Sequence, residues 1–284
     1  MIYDVIVLGT GPAGLSAALA ARGRNHTALV LGRPWQESPL AKAERIDNYL
    51  GMPAVTGAEM LEQFTSHALD MGVELIHTRV NAIMAWNGFH LTAGEEIYQG
   101  RTLVLAPGLV RQAKYPGEEE FLGRGVSYCA TCDGMLYRGK RVAVVGRSKE
   151  APAEAAYLKG LGCQVTYVAP KRPESLAEDI PFVQANRLEI RGEQTVHTLV
   201  ADGTEIPCDG VFILREAVAP KDLLPGLTLN GADIQVDRNM FTGVEGVFAA
   251  GDCTGAPWQV SKAVGEGLIA GLSAAEYCEK QDNG

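Results

Sequence analysis

The sequence predicts an α/β fold, and three observations predict it. First, the β-branched run 2–8 (IYDVIVL) leads into Gly9-Thr10-Gly11-Pro12-Ala13-Gly14, then an Ala/Leu-rich helix expected over Leu15–Arg22 and a second strand over Thr27–Leu31, a βαβ unit. Second, the pattern restarts: residues 141–158 (RVAVVGRSKEAPAEAAYL) lie over 5–21 (VIVLGTGPAGLSAALAA), with Gln164–Ala169 as the second strand. Gly146 stands 137 residues after Gly9, and an internal repeat of this kind predicts two Rossmann-like three-layer domains. Third, strand-like runs at 73–78, 80–86, 89–92 and 95–98 precede Thr102–Ala106, adding a small antiparallel meander to the parallel units.

The remaining elements follow from periodicity. Residues 58–71 place Met60, Leu61, Phe64, Ala68, Leu69 and Met71 at helical spacing. Near the C-terminus Val244–Ala250 reads as one more apolar strand, then Gly251-Asp252, then a helix through 261–277. No low-complexity linker separates the parts, so the crossings expected near 110–116 and 238–246 are short.

Composition narrows the function classes. The 284 residues carry 25 Lys+Arg against 34 Asp+Glu, a net charge of −9, which disfavours nucleic acid and anionic membrane as partners. An apolar share of 46 % against 21 % charged residues excludes a disordered chain. The uncharged stretch from Val5 to Ala21 is broken by Gly9, Gly11, Pro12 and Gly14 and follows Asp4 with no basic segment. It is read as neither membrane span nor signal peptide, and the protein is expected to start at Met1 and remain cytoplasmic. Six cysteines in a chain of this length are too few for a disulfide framework.

Gly9-x-Gly11-x-x-Gly14 has the strand-before, helix-after context that a dinucleotide fingerprint requires. The first Gly permits the turn, the second lets backbone approach a pyrophosphate, and the third lets helix pack on strand; a glycine turn without ligand is the alternative. No acidic residue ends the second strand, where Leu31-Gly32-Arg33 stands, which favours FAD over NAD. Cys129-Ala130-Thr131-Cys132, followed by Asp133, is a C-x-x-C pair that reads as redox-active, with an adjacent carboxyl group able to carry a proton. Zinc would need a second ligand pair; Cys163 and Cys208 are isolated and no histidine lies in a ligand motif, so no metal is expected. Two bystander thiols remain the other alternative.

The second unit has lost most of its fingerprint. Ser148 stands where the first unit has Gly11 and Ala151 where it has Gly14, with Arg147, Lys149 and Glu150 filling the turn. Side chains occupy the path of a pyrophosphate, and Glu150 adds like charge. Lys171 and Arg172 after the second strand could meet a 2′-phosphate, but read better as a solvated basic turn.

GTGPAG (9–14), CATCDG (129–134), GVFAAGDC (246–253), Gln259-Val260 and AVGEG (263–267) together resemble the low-molecular-weight thioredoxin reductases over nearly the whole chain. That resemblance implies a homodimer whose FAD domain, residues 1–112 and 242–284, is split around a central domain, 113–241, bearing the redox pair. It implies that Gly9, Gly11, Pro12, Ala13 and Gly14 hold the pyrophosphate and that Asn48, the backbone near Val80, Ala106 and Gly108 line the cofactor. Asp252 would hold the ribityl chain, and Gln259 and Val260 the isoalloxazine. Cys132 would face the flavin, Cys129 would attack the partner, and Asp133 matches the family's acid.

The departures concentrate in the central domain. Typical members carry G-x-G-x-x-A and an H-R-R cluster for NADPH; here stand Gly146-Arg-Ser-Lys-Glu-Ala and Ala169-Pro170-Lys171. Both losses fall on one ligand, a pattern similar to the ferredoxin-dependent flavin thioredoxin reductases. The expected reaction takes electrons from ferredoxin through FAD and the Cys129–Cys132 disulfide to thioredoxin. An NADPH- or NADH-driven reductase and a flavin-binding redox sensor that does not turn over are the alternatives. Ferredoxins are generally acidic, so docking on a chain of charge −9 would need a local basic patch, which Arg138, Lys140, Arg141, Arg147, Lys149, Lys171 and Arg172 supply if they share a face. Trp258, where the usual enzymes have Arg, could stack on the cofactor or serve as interface packing.

Overall fold

The computed structural model describes residues 1–109, 113–215 and 220–283. Along the chain run β1 (Ile2–Leu8), α1 (Pro12–Gly23), β2 (Ala28–Gly32), α2 (Gly57–Asp70), β3 (Glu74–His77), β4 (Ala82–Ala85), β5 (Phe89–Ala93) and β6 (Glu96–Leu105). Then come β7 (Val126–Ser127), α3 (Ala130–Asp133), β8 (Arg141–Arg147), α4 (Ala151–Gly160), β9 (Gln164–Ala169), β10 (Phe182–Gln184), β11 (Leu188–Gly192), β12 (Val196–Ala201), β13 (Thr204–Pro207) and β14 (Gly210–Arg215). The chain ends with α5 (Pro220–Leu223), β15 (Leu229–Asn230), β16 (Asp233–Ile234), β17 (Val247–Ala249) and α6 (Val260–Asp282).

Two compact units result, Met1–Arg111 with Ala219–Gly284, and Gln112–Val218. The first expected boundary, between 112 and 113, borders residues outside those described. The second is corrected from 241/242 to near 219. Residues 229–234 form a hairpin, and Val236, Met240 and Phe241 pack into the core of the first unit, so this segment belongs there by burial of its apolar side chains.

In the first unit the sheet runs β3-β2-β1-β6-β5-β4. β6 pairs in parallel with β1; its first half takes β5 antiparallel, and Leu103–Leu105 take β17 in parallel. The runs expected at 95–98 and 102–106 are therefore one strand. Gly100 does not break it but makes room, since a Cβ there would lie 2.7 Å from the Ile6 side chain. α1 starts at Pro12 instead of Leu15, because proline's fixed φ and missing N–H suit a first helical position. α1 and α6 meet through small residues: a Cβ on Gly267 would be 2.2 Å from the Ala13 carbonyl oxygen, and one on Gly271 equally close to that of Ala17. α2 opens with a capping box between Thr56 and Glu59.

The second unit carries a parallel sheet in the order β10-β9-β8-β14-β7 and a separate antiparallel sheet β11-β12-β13, which the strand–turn–helix pattern did not foretell. Val142, Val144, Ala155, Leu158, Tyr167 and Phe212 form its core. The basic side chains proposed as one patch separate into two groups. Arg141 begins β8 and Arg147 ends it, a span of about 20 Å at the usual rise per residue. Arg138, Lys140 and Arg141 lie at the N-terminal edge of the sheet, with Arg141 paired to Asp209. Arg147, Lys149, Lys171 and Arg172 follow the C-terminal ends of β8 and β9, which run parallel.

Candidate functional site

In the first unit the three fingerprint glycines answer to three different demands. Gly9 sits at φ +127°, and a Cβ on it would lie 2.0 Å from the Ala106 carbonyl oxygen. A Cβ on Gly14 would meet the Gly9 carbonyl oxygen at 1.9 Å, whereas one on Gly11 meets nothing within 4 Å. Gly11 precedes α1 as its N-cap, and no side chain caps that end. Open space above an uncapped helix start is what a pyrophosphate needs, so the residues present fit a dinucleotide. Ala13 reaches across to the C-terminal segment, where a Cβ on Gly251 would be 2.8 Å from its own Cβ.

That segment holds Asp252 at the start of a single 3-10 turn. Burial pushes the Asp252 carboxyl above its ordinary range; the Glu266 charge adds to this and Lys262 opposes it. The turn is pinned from α6. Lys262 Nζ donates to the carbonyl oxygens of Gly251 and Gly255, each at 2.8 Å, and to Thr254 Oγ1 at 2.9 Å, and it pairs with Glu266 at 3.0 Å. Glu266 in turn accepts from the Gly251 N–H at 2.9 Å. Lys262 and Thr254 were not foreseen as part of the site, and Glu266 entered only as a letter in AVGEG. The i, i+4 spacing of Lys262 and Glu266 is ordinary for a solvated helix face, so only the fold shows that both point at a backbone turn.

Two further expected residues meet directly: Asn48 Nδ2 donates to Gln259 Oε1 at 2.8 Å. Val80 and Ala106 are buried, Gly108 follows the end of β6, and Val260 begins α6 half-buried.

In the second unit Cys129 and Cys132 are joined as a disulfide, S–S 2.02 Å. Cys129 is buried and Cys132 exposed. β7 pairs with β14, placing Ser127 opposite Phe212, and the chain then leaves the sheet into the cysteine turn. Ser127 Oγ accepts from the Cys129 N–H at 3.1 Å and donates to Asp133 Oδ2 at 2.7 Å. The Cys129 sulfur accepts from the Cys132 N–H at 3.1 Å, a contact that favours a thiolate there once the pair is reduced. Ser127 was missed for want of any sequence signal, since a bond across six residues depends on how this turn folds. The four remaining thiols, Cys163, Cys208, Cys253 and Cys278, are buried, and desolvation raises all of them, to about 12 for Cys208 and Cys253. Thiols held in that state are poor nucleophiles.

The turn after β8 is built differently from the one after β1. A Cβ on Gly146 would lie 1.8 Å from the Tyr167 hydroxyl, so the surviving fingerprint glycine is needed by a buried tyrosine. Arg147 donates to Tyr115 Oη at 2.9 Å and to the Gly146 carbonyl oxygen at 3.0 Å. Glu150 occupies the residue before α4. Behind this turn Glu118 is fully buried, receiving Arg215, the Tyr128 hydroxyl at 2.9 Å and the Tyr115 N–H at 2.8 Å.

One cluster among the described residues brings three possible metal ligands together, Asp4, His26 and Cys278. Asp4 already accepts from Arg101, the Thr27 N–H and the Thr27 hydroxyl, which leaves its carboxylate engaged. No helix among the described residues is long and apolar enough to cross a membrane.

Comparison with known proteins agrees with this arrangement. Residues 3–267 match the family model described as pyridine nucleotide-disulphide oxidoreductase. The thioredoxin reductase of Bacillus subtilis (strain 168) is 32 % identical, the match covering 98 % of this chain and 96 % of that protein. Among solved structures, a ferredoxin-flavin thioredoxin reductase from Clostridium acetobutylicum is similar with a TM-score of 0.88 at 40 % identity over 99 % of each chain. A thioredoxin reductase from Gloeobacter violaceus gives a TM-score of 0.76 at 32 % identity, covering 98 % of this chain and 95 % of that one.

Proposed function

Because the chain belongs to the pyridine nucleotide-disulphide oxidoreductase family, and within it to the thioredoxin reductases, we propose that it carries electrons from ferredoxin through bound FAD and the Cys129–Cys132 pair to the disulfide of thioredoxin. The observation that carries this reading is the contrast between its two nucleotide turns beside an intact C-x-x-C disulfide. The turn at Gly11 is open, whereas the equivalent position of the second turn carries the Ser148 side chain, Arg147 beside it is bound to Tyr115 and to the Gly146 carbonyl oxygen, and Glu150 repels phosphate. The 40 % identity to a protein described as a ferredoxin-flavin thioredoxin reductase supports the same donor.

Bound flavin supplies the exchange between single electrons and electron pairs. Gly9, Gly11, Pro12, Ala13 and Gly14 hold the pyrophosphate, Asp252 the ribityl chain, and Asn48, Val80, Ala106, Gly108, Gln259 and Val260 line the rest. The protein's own chemistry is thiol exchange. In the reduced pair the Cys129 thiolate attacks one sulfur of the thioredoxin disulfide, forming a mixed disulfide and releasing the other sulfur as a thiolate, which takes a proton from Asp133. The Cys132 thiol gives its proton to Asp133 as its sulfur attacks Cys129; the disulfide re-forms and the second thioredoxin sulfur leaves. Two electrons have passed to the partner, and Asp133 has returned to its starting state. Cys129 is buried in the oxidised pair, so opening the disulfide must uncover it first. Met135 and Leu136, both exposed just beyond Asp133, offer the partner an apolar shoulder. The reading includes a cytoplasmic homodimer.

Anaerobic stopped-flow absorbance tests the donor. Reduced low-potential ferredoxin should bleach the flavin within the turnover time, and NADPH or NADH should not. Rapid bleaching by NADPH would sink the ferredoxin assignment and promote the nucleotide-driven reading, which Lys171 and Arg172 at the same sheet edge favour.

A further inference from the structure

We propose that Ser127 is the positioning residue for the proton that thiol–disulfide exchange moves, turning its hydroxyl as Asp133 changes protonation state. The inference rests on the reading above that Asp133 exchanges that proton. Ser127 is buried, and its oxygen is within reach of three groups: the Cys129 N–H at 3.1 Å, Asp133 Oδ2 at 2.7 Å and the Cys129 carbonyl oxygen at 3.2 Å. A hydroxyl has one hydrogen and two lone pairs. With Asp133 ionised, the hydrogen points at Oδ2 and a lone pair takes the Cys129 N–H. With Asp133 protonated on Oδ2, the carboxyl donates to Ser127, and the serine hydrogen swings to the Cys129 carbonyl oxygen. Both arrangements leave the hydroxyl, the Cys129 N–H and Asp133 Oδ2 bonded. The Cys129 carbonyl oxygen keeps the Asp133 N–H at 3.3 Å in the first arrangement and gains the hydroxyl in the second, so Asp133 can give up and regain a proton without stranding a buried polar atom. The same bonds fix the Cys129 backbone against the carboxyl group, holding the nucleophile and the proton carrier in one unit.

Among the described residues the titratable side chains that face this turn include the Cys129 and Cys132 sulfurs, Tyr137, whose hydroxyl burial and the Asp133 charge both raise, and Tyr157 of α4, packed against Gly134. They also include Cys163, whose thiol is raised by burial and donates to the Tyr137 carbonyl oxygen at 3.2 Å. Ser127 differs from them in having no charged form in the working range, so its effect is on geometry and on the balance between the forms of Asp133.

The test uses flavin-loaded protein reduced with dithionite and mixed with oxidised thioredoxin, the rate of disulfide exchange being followed from about pH 5 to about pH 9. In Ser127→Ala the ionised carboxylate loses a charge-assisted donor, so the high-pH fall in rate should move up by about one pH unit. Ser127→Thr should restore the original profile. Ser127→Val, isosteric with Thr on a strand residue, serves as the hydroxyl-free variant should the alanine protein fail to fold. A folded Ala or Val variant with an unmoved profile overturns the inference, whatever its rate. Asp133→Asn separates the two levels. If it keeps the wild-type profile, the reading of Asp133 as proton carrier fails; if it loses the high-pH fall and Ser127→Ala leaves that fall in place, the role of Ser127 alone fails.

Discussion

Single residues of this protein divide between those that make room and those that do chemistry, and each kind has its own test. Gly11 faces open space, so Gly11→Val should leave the fold intact and lower flavin content at least tenfold, read from the absorbance ratio of purified protein. Gly14→Ala places a methyl group 1.9 Å from a carbonyl oxygen and should cost stability instead, about 1–3 kcal/mol by urea unfolding. Cys132→Ser removes a sulfur that the chemistry needs and leaves the Gly9–Gly14 turn itself unaltered. It should abolish thioredoxin reduction while leaving the protein yellow, and retained turnover would rule out the disulfide route. Asp252 gives a pH test. Its folded-state value is raised, so the native form binds more protons than the unfolded one, and its contribution to stability rises as pH falls into the acid range. Asp252→Asn should therefore stabilise the flavin-free protein at neutral pH, modestly because the group is only partly desolvated.

Whole elements show how far local pattern reaches and where it stops. β9 was legible to the residue, because an apolar run between two turn signals leaves no choice of boundary. The helix expected over 261–277 runs on to Asp282, and the reason is tertiary: Arg101 binds Asp282 at 2.6 Å and Arg24 binds Glu279 at 3.2 Å, holding a polar last turn that periodicity alone would let fray. β7 has two residues and no pattern of its own; it exists because β14 offers an edge, and it delivers Ser127 to the cysteine turn. The candidate site follows the same rule. Cysteines and glycines carry chemistry or space in their identity and could be read, whereas Lys262, Glu266 and Ser127 act through contacts that the fold creates. The α1–α6 contact tests element packing: Gly267→Ala would drive a methyl into the Ala13 carbonyl oxygen, and the lost close approach should cost about 1–3 kcal/mol in a urea melt.

At the scale of the whole molecule the proposed donor raises a question of charge: how an acidic chain would meet an acidic ferredoxin. The sequence offered seven basic side chains as one docking patch, but β8 divides them between opposite edges of its sheet. A ferredoxin approaching one edge meets at most four of them: Arg147, Lys149, Lys171 and Arg172. Arg147 is committed to Tyr115, and Glu150 stands beside Lys149. Against that stands a net charge of −9, whose field reaches about 30 Å at ~10 mM salt and about 10 Å at ~100 mM. Long-range repulsion is therefore screened by added salt while short contacts between docked surfaces are screened less. The rate constant for flavin reduction by ferredoxin should rise between these two salt concentrations before contact screening lowers it at higher salt. A rate that falls steadily from the lowest salt upward would mean that a cationic face governs the encounter, and that the four side chains at the C-terminal edge outweigh the charge of the rest of the chain.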